Sequence, residues 1–209
     1  MRTCRLLWLC FFAAAIALTG GCAKGISGGI PATPGPSTSP TPTAFPSPAC
    51  STSESTNPNM VLVGIGSEVT DETFPTYGQV AGYALFDGTD IPDEARVITT
   101  TIGGAPITAA NTVQFTNIEL GTSTIYHSAV AFSGQSFPAM PYTFPSAAPN
   151  PANTVIGSGF WSTGRIPPAQ NGLLCFSQEF TLEPGTYYFG DLDYYNTVTS
   201  YRDVLVVQP

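Results

Sequence analysis

The strongest constraint on the fold is a series of short apolar runs from Met60 to the C-terminus. The runs are rich in Val, Ile, Thr, Tyr and Phe and are bounded by Gly, Pro, Asn or Asp: MVLVGI, QVAGYALF, RVITTTI, TVQFTNI, IYHSAVAF, CFSQEFTL, TYYFGDL and DVLVV. Such runs between turn residues are typical of β-strands, and no stretch carries a convincing helical period. The pattern predicts an all-β domain, an antiparallel two-sheet Greek-key β-sandwich.

The N-terminus, MRTCRLLWLCFFAAAIALTGGC, has the features of a secretory signal. Arg2 and Arg5 precede an apolar stretch, 6–18, which is followed by small residues before Cys22. The apolar stretch is shorter than the ~20 residues that a membrane-spanning helix needs. Two processing routes remain open. Residues 1–22 can be a signal with a lipobox-like region that leaves Cys22 acylated, which we favour, or cleavage can follow Ala23.

Both routes export the protein. The expected location is the bacterial cell envelope, where the chain is lipid-anchored through Cys22 or lies in the periplasm or outside the cell. A lipid anchor would make the membrane a partner. Loss of the signal arginines leaves four basic residues against 14 acidic ones, so the net charge falls from −8 to −10. A domain this acidic repels phosphate backbones, and no nucleic acid partner is expected.

Residues 23–58 read as a tether to a domain over residues 59–209. Pro, Ser, Thr, Gly and Ala dominate this region, as in PATPGPSTSPTPTAFPSPA. Proline-rich chain is extended and spans up to ~3 Å per residue. The segment GISGG, residues 25–29, matches the letters of a hydrolase nucleophile elbow. It lies in the tether and lacks the strand and helix that the motif requires, so we reject it as a catalytic site.

Two cysteines remain for the domain if Cys22 is acylated. Cys50 and Cys175 would then form a pair in an oxidising compartment, where disulfides persist. A disulfide between them would pin the first ordered residues of the domain. The alternative is a free Cys50 in a mobile tether.

Two segments resemble the cupredoxins, the family of blue type 1 copper proteins. NTVQFTNIELGTSTIYHSAVAF, residues 111–132, is similar to a strand and loop of that family, and His127 and Phe132 fall on its His-x-x-x-x-Phe pattern. CFSQEFTLEPGTYYFGDLDYY, residues 175–195, is similar to the hairpin that leads into the copper loop, and DVLVV is similar to the closing strand. The resemblance implies a cupredoxin-like sandwich over residues 60–209.

The resemblance also implies that most copper ligands are missing. Cupredoxins hold copper with two imidazoles, one thiolate and a weak axial thioether. The resemblance puts Asp191 at the cysteine position and Tyr194 at the second histidine, and no methionine follows Met140. His127, the single histidine, matches one ligand. The resemblance therefore implies a degenerate site with no cofactor. A bound copper ion is the less favoured alternative.

Several of these residues have a second interpretation. His127 is either a packed, hydrogen-bonded residue or the relic of a copper site that binds a metal weakly with Asp191 or Asp193. The carboxylates of DGTDIPDE, residues 87–94, and DLDYYN, residues 191–196, are either solvated turns or oxygen ligands for calcium. We favour packing for the histidine and solvated turns for the carboxylates.

Catalysis is not expected. A triad would have to use His127, and no motif places a serine or cysteine beside it in sequence. Glu179 and Glu183 lie on or beside one strand, which does not establish the separation that a glycosidase needs. A single histidine also gives zinc hydrolysis no support.

Two functions remain. The favoured one is a non-catalytic binding or structural module at the cell envelope, with an unknown envelope protein or ligand as partner. The other is a copper-binding or electron-transfer protein with an altered site. The binding module would use an aromatic-rich end of the domain, although the same rings can instead fill the core. That end would contain Tyr187, Tyr188, Tyr194, Tyr195 and Tyr201 with Phe160 and Trp161.

Overall fold

The computed structural model describes residues 50–88, 93–120, 123–145, 155–156 and 160–209. The signal region with Cys22, the tether before Cys50 and residues 89–92 of DGTDIPDE lie outside the described residues. The strands are β1 (Met60–Ile65), β2 (Glu72–Phe74), β3 (Gly78–Val80), β4 (Tyr83–Leu85), β5 (Thr112–Asn117), β6 (Val130–Ala131), β7 (Val155–Ile156), β8 (Cys175–Phe176), β9 (Phe180–Leu182), β10 (Gly185–Gly190) and β11 (Arg202–Val207). The described residues form no helix, and thus none of the length and apolarity that a membrane crossing requires.

Two sheets form the body of the domain. The first has six strands in the order β4-β1-β5-β9-β7, with β8 paired to β5, and the second has the order β11-β10-β6. A separate hairpin joins β2 and β3. Apolar side chains of both sheets meet in one buried cluster. The all-β, two-sheet sandwich predicted from the sequence is therefore confirmed.

Two strand pairs depart from the antiparallel pattern: β7 with β9, and β1 with β5. β1 and β5 run parallel, from Met60 opposite Thr112 to Ile65 opposite Asn117. Between these strands the chain crosses to the second sheet, where Ile98 bridges β11. It then returns to the first sheet in its original direction, and a crossover of this kind produces parallel neighbours.

The core lies between the two sheets. Phe115 of β5 stacks on Trp161 with ring centroids 5.6 Å apart, and Phe189 of β10 approaches Trp161 to 5.5 Å from the other sheet. Strand side chains alternate between inner and outer faces, so β1 buries Val61 and Val63 in this core. Each fully buried side chain of this size contributes about 1.5–3 kcal/mol relative to exposure. Packing between the two sheets thus stabilises the fold.

Residues 50–58, part of the region read as tether, are held against the first sheet. Cys50 and Cys175 form a disulfide with an S–S distance of 1.96 Å. Ser51 forms a β-bridge with Phe176, and the Gln114 side chain accepts a hydrogen bond of 3.0 Å from the Ser55 N–H. The chain is therefore attached to the domain from Cys50 onward.

Candidate functional site

His127 is held in place by its main chain. Its N–H donates to the Ile166 carbonyl at 3.1 Å, and the Ile166 N–H donates back at 2.6 Å. Asn117, the last residue of β5, donates from Nδ2 to the carbonyls of Ile125 and Ile166 at 2.9 and 3.0 Å. These bonds tie the end of β5 to the segments on either side of the histidine. The ring is 1% exposed.

Two carboxylates hold the ring of His127. Its Nδ1 lies 3.0 Å from Asp191 Oδ2, and its Nε2 lies 3.2 Å from Glu119 Oε1. The Asp191 side chain is fully buried and that of Glu119 is 10% exposed. Carboxylates only accept hydrogen bonds, so the imidazolium, with a proton on each nitrogen, is the form that satisfies both contacts. We call Glu119, His127 and Asp191 the His127 triad.

Asp191 also organises the loop that follows β10. Its Oδ1 accepts from the N–H groups of Asp193 and Tyr194 at 2.8 and 3.1 Å, and its Oδ2 accepts from the Ser128 N–H at 2.9 Å. A carboxylate has about four lone-pair sites. The three backbone donors and His127 together use its accepting capacity.

The electrostatics of the triad favour the charged forms of His127 and Glu119. Burial lowers the pKa of His127, but the hydrogen bonds to Asp191 and Glu119 and their negative charges outweigh it and raise the pKa above its ordinary 6.5. The hydrogen bond with His127 lowers the pKa of Glu119 to about 2, although desolvation opposes it. The Ser67 N–H, which donates to Glu119 at 2.7 Å, adds to this lowering. The two carboxylates and their hydrogen bonds thus favour the protonated ring of His127.

Two tyrosine rings cover the imidazole. The ring centroids of Tyr201 and Tyr194 lie 5.4 and 5.3 Å from that of His127. Burial, with nearby Glu119 and Asp191, raises the pKa of Tyr201 to about 12, and burial is also the main cause that raises the pKa of Tyr194. Both phenols therefore stay neutral at neutral pH. Neutral rings within about 6 Å of a cation stabilise it through their π faces.

This set of side chains does not fit a type 1 copper ion. Such a site needs imidazole nitrogens and a thiolate with free lone pairs. Both nitrogens of His127 are engaged by carboxylates, and Asp191 is engaged by backbone donors. The cysteines in the described part of the chain, Cys50 and Cys175, are joined to each other. Within the described ranges no three His, Cys, Asp or Glu side chains are arranged to hold a metal ion.

The carboxylates of DLDYYN divide between the interior and the surface. Asp191 is buried, so the solvated-turn interpretation is wrong for this residue. Asp193 lies outside and accepts from Arg165 Nε and Nη2, both at 2.7 Å. In DGTDIPDE, exposed Glu94 pairs with exposed Arg96 at 3.2 Å.

The aromatic residues expected at one end of the domain mostly fill its interior. Tyr187, Tyr188, Tyr195 and Tyr201 are 7%, 7%, 0% and 7% exposed, and Trp161 is 0% exposed. Tyr194 and Phe160 are half-buried. The core-packing alternative therefore applies to the larger part of that set.

The structure brings together His127, Asp191 and Tyr194, which the resemblance placed at ligand positions. Glu119 was missed. Its signal in the sequence is faint, because it is an isolated acidic residue just after a strand and eight residues before the histidine. Glu119 Oε1 reaches Nε2 of His127 only because the chain folds back beside the end of β5.

No protein-family model matches the chain, and no curated protein matches it. Solved structures of rusticyanin are similar to it. Reduced rusticyanin shares 18% identity at a TM-score of 0.36, with 71% of this chain and 78% of that chain covered. Rusticyanin from Thiobacillus ferrooxidans shares 15% at a TM-score of 0.35, with 71% and 76% covered. A structure described as the copper protein rusticyanin shares 16% at a TM-score of 0.33, with the same coverage.

Rusticyanin is a cupredoxin, the family that the two sequence segments resemble. At these identities and TM-scores the similarity carries no argument about this chain. It assigns neither a metal nor an activity to this chain.

Proposed function

We propose that the protein is an exported, lipid-anchored, cupredoxin-like domain that has lost the type 1 copper site and acts as a non-catalytic binding or structural module at the cell envelope. The observation that carries this proposal is the engagement of both ring nitrogens of His127 by carboxylates. A histidine in this state has no lone pair to offer to a metal.

In this proposal, the two ring protons of His127 hold the surrounding segments together in place of a metal ion. The imidazolium links the end of β5, through Glu119, to the loop after β10, through Asp191. The Ser128 hydroxyl adds a further link, because it accepts a hydrogen bond of 2.8 Å from the Leu192 N–H. Replacing a thiol by a carboxylate thus supplies acceptors for this loop, and the hairpin keeps its shape without a soft ligand.

The same contacts support a non-catalytic role. A general base needs a free nitrogen within hydrogen-bond reach of a nucleophile. In the described part of the chain, both nitrogens of His127 contact carboxylates and neither contacts a serine hydroxyl or a thiol. The buried ring is also shielded from substrate.

Copper titration tests the loss of the metal site. We expect Cu(II) to produce no intense visible charge-transfer band in the purified wild-type protein and to leave its Tm unchanged, as it should in the matched variant His127→Gln. An intense band, or a copper-dependent rise in Tm that His127→Gln abolishes, would overturn the proposal in favour of a copper-binding or electron-transfer protein.

Lipid labelling tests the anchor. Cells that express the wild-type chain should incorporate a fatty-acid analogue into it, and Cys22→Ser should lose the label and leave the membrane fraction. Cys10→Ser, a change within the signal, is the matched control and should keep the label. Labelling that survives Cys22→Ser would exclude acylation at this residue.

A further inference from the structure

Residues 50–58 lie against the outer face of the first sheet, and we call this segment the strap. The Phe176 N–H, on β8, donates to the Ser51 carbonyl at 2.8 Å. Side chains alternate along a strand, and Phe115 of β5 faces the core between the sheets, so its neighbour Gln114 points to the outer face. Gln114 is nevertheless only 3% exposed, and it contacts the strap directly.

The contacts between the strap and β5 are polar. Gln114 Oε1 accepts from the Ser55 N–H at 3.0 Å, and Gln114 Nε2 donates to the Ser53 carbonyl at 3.3 Å. Further along, Asn57 Nδ2 donates to Thr112 Oγ1 at 3.0 Å. These hydrogen bonds lie at the surface of the domain, where water can replace each partner.

The strap carries no large apolar side chain between its ends. Residues 51–57 read STSESTN, and residues 51–54 are all exposed. Burial of apolar surface, the main driving force for packing, therefore contributes little to the attachment of the strap. The covalent bond between Cys50 and Cys175 is thus the contact that fixes the strap to the sheet.

The sheet beneath the strap has hydrogen-bond partners of its own. Thr116 Oγ1 donates to the Cys175 carbonyl at 3.0 Å, and Ser177 Oγ donates to the Gln178 carbonyl at 2.7 Å. Gln114 Nε2 also donates to the Ser177 carbonyl at 2.9 Å. If the strap left, these bonds would remain and water could bind Gln114 Oε1. Departure of the strap would therefore expose mainly polar groups.

We propose that the disulfide is a redox latch: a dithiol reduces it, and the strap then leaves the sheet while the sandwich stays folded. Cys50 is half-buried and Cys175 is 0% exposed, so Cys50 Sγ is the sulfur nearer to solvent. Cys175 Sγ lies 3.1 Å from the Pro168 carbonyl oxygen, which can accept a hydrogen bond from the thiol formed on reduction. The reduced domain therefore buries no unpaired thiol at Cys175.

The reduction is a thiol–disulfide exchange with the dithiol as the reductant. One thiolate of the dithiol attacks Cys50 Sγ, which forms a mixed disulfide and expels the Cys175 thiolate. The other thiolate of the dithiol then attacks the reductant's own sulfur in that mixed disulfide and expels the Cys50 thiolate. Each expelled thiolate takes up a proton. The protein gains two electrons and two protons, and the dithiol becomes a disulfide.

Opening the latch would lengthen the tether. Residues 50–58, at about 3.3 Å each when extended, add roughly 30 Å between the domain and the chain that precedes it. This consequence rests on the proposed lipid anchor, because the tether limits the reach of the domain only if the chain is anchored. The latch itself depends neither on the anchor nor on the His127 triad.

Glutamate-specific proteolysis of the purified full chain tests the latch. Glu54 lies in the strap and Glu68 in a turn of the domain, and both residues are exposed. Dithiothreitol should speed cleavage after Glu54 about tenfold or more, because a released strap can enter the active site of the protease. Cleavage after Glu68 should keep its rate. Both rates can be read from the fragments on a reducing gel.

Two results would overturn the latch. An unchanged rate at Glu54 would show that the strap stays on the sheet after reduction. Faster cleavage after both Glu54 and Glu68 would show that the domain unfolds together with its disulfide.

Two variants separate the disulfide from other effects of the reductant. Cys50→Ser should be cleaved quickly after Glu54 without dithiothreitol, and the reductant should add nothing further. Slow cleavage of this variant would mean that hydrogen bonds alone hold the strap, against the proposal. Cys22→Ser, the matched control, keeps the disulfide and should respond as wild type does, whether or not the chain is acylated. A lost response in Cys22→Ser would assign the effect to that thiol and overturn the latch.

Discussion

Asp191 and Asp203 are both 0% exposed, yet their surroundings differ in kind. Asp191, in the loop after β10, accepts from three backbone N–H groups and faces the ring of His127. Asp203 faces the core from β11, where its Oδ1 accepts from the Val204 N–H at 2.6 Å and its Oδ2 has no partner among the described residues.

The comparison shows that two equally buried carboxyl groups can differ widely in the hydrogen-bond donors that face them. Desolvation raises the pKa of Asp203 well above its ordinary value, and the single hydrogen bond from Val204 only partly opposes this. Burial therefore favours the protonated form of Asp203.

Loss of the Asp191 carboxylate should have the largest effect. Asp191→Ala leaves buried backbone donors and the His127 imidazolium without their acceptor, so we expect the free energy of unfolding to fall by about 3–5 kcal/mol. Urea denaturation measures the change. Asp191→Asn is the matched control, because it keeps an acceptor oxygen for the loop and should lose less. Equal losses in the two variants would show that a neutral amide oxygen cannot replace the carboxylate of Asp191 as the acceptor for this loop.

Removal of the ionisable group at Asp203 should act in the opposite direction. With a folded-state pKa above the unfolded value, Asp203 makes the protein less stable as the pH rises from about 3.8 towards the folded pKa, by about 1.4 kcal/mol per pH unit. Asp203→Asn keeps the oxygen that accepts from Val204 and cannot ionise. The variant should gain stability over wild type as the pH rises from 4 to 7. A constant difference across this range would show that Asp203 is already ionised.

The His127 triad should produce a stability window in pH. The raised pKa of His127 contributes stability that is complete below pH 6.5 and is lost as the pH rises through the folded value. The lowered pKa of Glu119 contributes stability that is complete above pH 4.5 and is lost as the pH falls towards about 2.

We therefore expect the difference in unfolding free energy between wild type and His127→Gln to be largest between about pH 4.5 and 6.5. Taking a difference removes the slope that Asp203 contributes to both proteins. Glu68→Gln, a change at an exposed carboxylate, is the control and should leave the shape of the curve unchanged. A difference that is flat with pH would show that the imidazole is not charged in the folded protein.

The surface ion pair beside the triad should matter least. Arg165 and Asp193 are 29% and 35% exposed in their side chains, and solvent screens their attraction. Asp193→Ala should cost under about 1 kcal/mol, and added salt should reduce this cost. A loss as large as that of Asp191→Ala would mean that exposure is a poor guide to the value of a carboxylate in this loop.

Strand positions were largely predictable because alternation of apolar residues is a local property. MVLVGI and TVQFTNI coincide with β1 and β5. RVITTTI, in contrast, forms isolated bridges, Ile98 to Leu205 and Thr100 to Pro106, and no regular strand. This segment lies along one edge of β11. Which segment pairs with the edge of a sheet depends on the path of the chain and not on local composition.

The amino-acid order alone predicted the all-β sandwich, and the resemblance to cupredoxins implied that Asp191 and Tyr194 stand at copper-ligand positions. Residue type is sufficient there, because a carboxylate and a phenol are hard donors wherever they lie. The triad needed the tertiary structure, since Glu119, His127 and Asp191 come from separate segments and meet only when the sheets pack. The contrast between Asp191 and Asp203 needed it too, because the fold decides which hydrogen-bond donors face each buried carboxyl group.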